Sequence, residues 1–225
     1  MWYHCGVKMA VEHIRRQIPT EEFDYQALSD CLKDYARPRD RISDLIKSGV
    51  IVRVKKGLYI FGSDYRRGPY SREVFANLIY GPSYVSLDYA LGYYALIPER
   101  VETVTSVTCV KSRSFITPVG RFTYWAVPLE YYRTGIDIVE ITERRPFLLA
   151  TREKALADKV YRDRGAAIGI PRELEEYLFE DLRLDPGVLR ELDVSTMNEI
   201  ASHCRSRKVA LLASFLRRFK ESSHE

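Results

Sequence analysis

Between Pro38 and Phe61 the chain carries a punctuation that few folds accept. Pro38 suits the first turn of a helix, where its missing N–H costs nothing. Ile42, Leu45 and Ile46 give that helix an inner stripe, and Gly49 fits the left-handed position just past its end. Val50 to Val54 reads as a strand, Lys55-Lys56-Gly57 as a basic turn, and Leu58 to Phe61 as the returning strand. The preceding residues supply two more short helices. Val7, Val11, Ile14 and Ile18 fall at helical spacing up to Pro19. Asp24 suits an N-cap for a helix whose inner stripe is Tyr25, Leu28, Leu32 and Tyr35. Three short helices followed by a hairpin is the order of a winged helix-turn-helix. In that architecture the third helix enters the major groove and the hairpin lies along the backbone.

This order singles out candidate DNA contacts. Opposite the Ile42/Leu45/Ile46 stripe stand Arg37, Asp40, Asp44 and Lys47, with Arg41 and Ser43 flanking and Arg39 in the same basic run. Arg37, Arg39, Arg41, Ser43 and Lys47 carry donors apt for base edges or phosphates, and Arg53, Lys55 and Lys56 of the hairpin are apt for phosphates. Asp40 and Asp44 repel phosphate, so they are expected to orient the neighbouring cations or to accept from a cytosine amine. The net charge of +4 is too small to name a partner, but it is uneven: residues 1–62 carry net +3 and the remaining 163 residues net +1.

Residues 63–70, with two glycines and a proline, read as a linker, so the expected organisation is a winged helix-turn-helix over 1–62 and a mixed α/β domain over 71–225. In the second part Ser71 caps a helix with Val74, Phe75, Leu78 and Ile79. Tyr84-Val85 is a strand, and Ser86 caps a helix with Leu87, Ala90, Leu91 and Tyr94. Strands follow over 101–110, 115–127 as a hairpin, 136–141 and 147–149. Thr151 caps a further helix, and the chain beyond Pro171 is a helical tail ending on Val209, Leu212, Phe215, Leu216 and Phe219. The fold class is α+β.

Composition closes off other classes. At 46% hydrophobic and 29% charged residues the chain has material for packed cores and is no disordered polyelectrolyte. No apolar run approaches the roughly 18 residues of a membrane span, and the N-terminus shows no secretory signal, so a cytoplasmic protein is expected. Cys5, Cys31, Cys109 and Cys204 lack the spacing of a zinc knuckle or a disulfide framework. His4-Cys5 and His203-Cys204 meeting over a metal is the weaker reading, and neither metal nor cofactor is expected.

Four further stretches accompany Ile42 to Ile51 and Lys56-Gly57-Leu58-Tyr59. They are Tyr80 to Leu87 with Ala90-Leu91; Ile97-Pro98-Glu99; Thr105 to Thr108; and Leu149 to Asp158, and Glu180 to Arg183 fits beside them. As an ordered set, spanning about residues 8 to 215, they resemble the AbiEi family, the antitoxin-regulators of type IV toxin–antitoxin systems. The resemblance implies a repressor that binds an inverted repeat in double-stranded operator DNA upstream of its own operon. It also implies a C-terminal domain that counteracts a nucleotidyltransferase-like toxin without a stable direct complex. An inverted repeat calls for two copies related by a two-fold axis, in solution or on DNA.

Two readings compete. The winged helix could contact a toxin or another protein in place of DNA. Asp137, Glu140 and Glu153 with Lys154 could form a divalent-metal nuclease site, although Glu153 and Lys154 as neighbours on a strand would point apart; no enzyme is expected. Lys111, Arg113, Phe115, Arg121, Tyr124, Tyr131, Tyr132 and Arg133 surround the second part's strands and read either as strand edges or as an RNA-stacking surface.

Overall fold

A computed structural model describes residues 11–142, 145–166 and 168–222. The chain is mixed α and β, with a three-stranded and a six-stranded sheet. Helix α1 covers residues 11–17 and stops ahead of Pro19, with Val11, Ile14 and Ile18 buried; Val7 lies outside the described residues. Strand β1 (Glu22–Asp24) leads into α2 (Tyr25–Cys31), where an Asp24 side-chain oxygen accepts from the Ala27 N–H at 2.8 Å. This is the N-cap geometry that the Asp24 position implied. Helix α3 (Pro38–Lys47) starts on its proline and ends before Gly49, whose φ of +72° is the left-handed value that a β-carbon disfavours.

Strands β2 (Ile51–Lys55) and β3 (Leu58–Phe61) form the hairpin, and Gly57 turns it at φ +86°. The sheet order is β1-β3-β2, antiparallel throughout. One face, with Phe23, Ile51, Tyr59 and Phe61, packs on Ile14, Leu28, Leu32, Ile42 and Leu45 of the helices. The other face, with Val54, Leu58 and Ile60, belongs to the core of the rest of the molecule. A strand with both faces covered is apolar throughout rather than alternating, and all four residues of β3 are buried.

The second unit is built on a sheet of order β6-β7-β5-β4-β9-β8. In chain order its elements are α4 (Arg72–Ile79), β4 (Ser83–Val85), α5 (Leu87–Tyr93), β5 (Val104–Thr108), β6 (Arg113–Thr117), β7 (Gly120–Ala126), α6 (Leu129–Tyr132), β8 (Ile136–Glu140), β9 (Pro146–Ala150) and α7 (Arg152–Arg162). Then come α8 (Pro171–Glu176), a π-helical turn at Tyr177–Asp181, α9 (Pro186–Glu191), α10 (Val194–Ser202) and α11 (Arg207–Glu221). Pairings β5/β7 and β4/β9 are parallel and the rest antiparallel, which leaves β6 and β8 as edges. Ser71 and Thr151 accept the capping hydrogen bonds of α4 and α7 at 3.0 and 3.2 Å. Ser86 precedes α5 but gives its hydroxyl to Asp158 at 2.6 Å instead of capping.

The segment over residues 63–70 is not featureless: Ser63–Tyr65 is a turn of 3-10 helix. Around it the two units are tied by charge. Glu22 is buried and pairs with Arg145 at 2.5 Å while accepting from the Ser71 N–H. Glu21 pairs with the buried Arg15 at 2.7 Å and accepts from the Arg67 N–H at 3.0 Å. Both pairs are largely enclosed, so removing one partner would leave the other charge buried and uncompensated at the junction of the two units.

Candidate nucleic-acid interface

Helix α3 is anchored by Ile42 and Leu45, 5% and 1% exposed, and by the half-buried Ile46. The anchors fix which side chains face out. Arg37, Arg39, Asp40, Ser43, Asp44 and Lys47 are all exposed. Arg37 stands 4.0 Å from Asp40 across an open surface, a separation at which an ion pair is worth little. Ser43 donates back to the Arg39 carbonyl at 3.1 Å, so its oxygen can accept and its donor must be released to reach a base. Arg41 is different from the others: it is half-buried, with its guanidinium 5.8 Å from the Tyr35 ring. No side chain caps the start of α3, and its first turn lines an open groove of about 370 Å³ with Tyr25, Ser29, Arg37 and Arg39.

Tyr25 and Tyr35, expected on the inner stripe of α2, are 38% and 40% exposed. The correction has a simple cause. Asp24 at the N-cap puts Tyr25 in the first turn of the helix, where it borders an open groove with Arg37 and Arg39, and α2 ends at Cys31 before reaching Tyr35. Tyr25 and Ser29 are therefore groove residues that the helical pattern concealed.

On the hairpin, Arg53 and Lys56 are exposed. Lys55 is not placed as a phosphate contact: its ammonium donates to the Ile79 carbonyl at 2.5 Å and lies 4.8 Å from the Phe115 ring centroid. Of the eight residues singled out by sequence, then, Arg37, Arg39, Ser43, Lys47, Arg53 and Lys56 reach the surface, Arg41 does so in part, and Lys55 is turned into the junction between the units.

The carboxylate set of the second unit is not brought together. Asp137 and Glu140 are exposed on edge strand β8. Glu153 is 9% exposed and accepts from the Asp193 N–H at 2.8 Å. Lys154 lies on helix α7, not on a strand, and is fully buried; it pairs with Asp158 at 3.3 Å and donates to the Tyr131 carbonyl at 2.7 Å. Asp158 also accepts from Tyr84 at 3.0 Å. Burial lowers the Lys154 pKa, with Asp158 acting against that shift. Its partners Tyr84, Ser86 and the Tyr131 carbonyl are all internal to the core, so the pair joins α7 to β4 and α6.

The basic-aromatic residues divide between the two sheet faces. Arg113, Phe115 and Tyr124 share one face, and Arg121 shares the other with Ile116, because neighbours on a strand alternate. Lys111 and Arg133 are exposed, while Tyr131 and Tyr132 are buried. Among the described residues no group of three or more His, Cys, Asp or Glu side chains could hold a metal ion, and no helix is long and apolar enough to cross a membrane. His4 and Cys5 lie outside the described residues. Compared with known proteins, the chain matches no family model and no curated protein.

Proposed function

We propose that the protein is a DNA-binding transcriptional regulator whose N-terminal unit is a winged helix-turn-helix, with α3 as the recognition helix. The observation that carries the reading is the exposed row of Arg39, Ser43 and Lys47, with Arg37 at the N-cap, on a helix whose opposite side is locked into a core. A rigid helix presenting long donors at one-turn spacing is what major-groove readout requires, while Arg53 and Lys56 supply backbone contacts. The order of three helices and a β1-β3-β2 sheet supports the same reading. The resemblance to the AbiEi antitoxin-regulators supports its extension: repression of its own operon through an inverted repeat bound by two copies. On that extension the second unit counteracts a nucleotidyltransferase-like toxin.

Asp40 and Asp44 on the same face favour a second reading, a protein-contact module. Fluorescence anisotropy with the DNA upstream of the protein's own gene, against a scrambled duplex at two salt concentrations, separates them. A preference of more than about tenfold, with a log–log salt slope of about −4 per bound copy, is expected for DNA readout. Equal and weak binding to both duplexes would leave the protein-contact reading in its place.

A further inference from the structure

A continuous path of contacts leads from α3, across the hairpin turn, onto the edge of the second unit. Arg37 and Arg39 share their groove with Tyr25, and the Tyr25 N–H donates to the Gly57 carbonyl in the hairpin turn at 2.8 Å. Lys55, two residues earlier, crosses to the Ile79 carbonyl and to Phe115 of β6. Phe115 packs on Tyr80 with ring centroids 5.9 Å apart, and the Arg113 guanidinium stands 5.5 Å from that same Tyr80 ring. Along the path the exposed cations are Arg37, Arg39, Lys56, Arg113 and, just before β6, Lys111. Among the described residues no carboxylate lies within ion-pair distance of Lys56, Lys111 or Arg113.

We propose that the β6 edge of the second unit is part of the DNA-binding surface, with Lys111 and Arg113 contacting phosphates that flank the segment read by α3. The inference rests on the DNA reading above and deepens it. Lys55 acts as a strut: by tying the hairpin to Ile79 and Phe115 it holds Lys56 and Arg113 in one fixed arrangement, so the extended surface is preformed and little ordering is needed on binding. Tyr80 does the same for Arg113 by offering its ring face to the guanidinium.

Phosphate contacts raise affinity without carrying sequence information. In the full chain, Lys111→Ala/Arg113→Ala is therefore expected to weaken binding to the upstream and the scrambled duplex by the same factor, about tenfold. It should also reduce the salt slope by about 2 per bound copy and shorten the hydroxyl-radical footprint by the same stretch in each half-site. Arg113→Lys should recover most of its share of the loss, which a merely structural role for the guanidinium would not give. An unchanged slope and footprint in the double variant, with the wild type still preferring the upstream duplex, would overturn the inference and leave the proposed function standing. A wild type with no preference for the upstream duplex would overturn both.

Discussion

Helices α3 and α7 are nearly equal in length, 10 and 11 residues, and both mix Lys, Arg and acidic side chains with apolar ones. Their charges are used in opposite ways. On α3 the residues Asp40, Asp44 and Lys47 are exposed, whereas on α7 Glu153, Lys154 and Asp158 are 9%, 0% and 1% exposed. The difference lies in where each helix is placed. Helix α3 lies on the outside of a small core and buries one stripe. Helix α7 is covered by α5, α10 and α11 as well as by β9, so even the charged Glu153, Lys154 and Asp158 are enclosed. A charge enclosed with its partner is a structural element, and a charge held in the open on a rigid helix is free for a ligand. Binding and stability should therefore separate between the exposed charges and the enclosed ones.

High pH should expose the enclosed side of this comparison most strongly. Burial pushes Tyr94 and Tyr132 up to about 12 and raises Tyr89, Tyr124 and Tyr177 as well, all in the second unit. An unfolded tyrosine ionises near about 10, so between pH 10 and 12 the unfolded chain loses protons that the native protein keeps, and stability falls as pH rises. Lys154, lowered in the native state, contributes with the opposite sign, but it is one group against these five and the buried Tyr84 and Tyr131, which are raised too. The urea midpoint should be clearly lower at pH 11 than at pH 8; a midpoint that rises would contradict the enclosure of these rings.

Next in size is Lys154→Met, which leaves Asp158 charged and buried. A loss of about 3–5 kcal/mol is expected in urea denaturation at pH 7, with the DNA affinity of the folded protein unchanged. A loss below about 1 kcal/mol would mean that the pair is reached by water. Lys55→Met removes the donor to the Ile79 carbonyl and should cost about 1–2 kcal/mol while leaving the salt slope as it was. Lys56→Ala should do the reverse, with no stability change and a slope lowered by about 1. Should Lys55→Met lower the slope, the strut would itself be a phosphate contact. The smallest stability effect is expected for Arg37→Ala/Lys47→Ala, within about 0.5 kcal/mol, because both side chains are exposed.

Local chemistry made much of this legible in the sequence. Asp24, Pro38, Gly49, Ser71 and Thr151 act within one turn of themselves, so the elements they bound follow from the sequence alone. What was hidden depends on distant partners. Glu22-Phe23-Asp24 is a strand only because β3 pairs with it. Lys154 and Asp158, four residues apart, have the spacing of a solvated surface pair, and only the packing of neighbouring helices buries them. Lys55 has the sequence setting of a hairpin-tip phosphate contact and becomes a strut because α4 and β6 stand beside it. The exposed row on α3 was legible because the Ile42/Leu45 anchors that define it lie on the same helix.

Dimethyl sulfate protection of guanine N7 on the upstream duplex tests the central claim most directly, since that atom lies in the major groove, into which the proposed reading puts α3. Protection of N7 within the bound segment, lost in Arg37→Ala/Lys47→Ala and kept in Lys154→Met below its melting temperature, is expected. Binding without any N7 protection, or protection indifferent to the α3 substitutions, would contradict it.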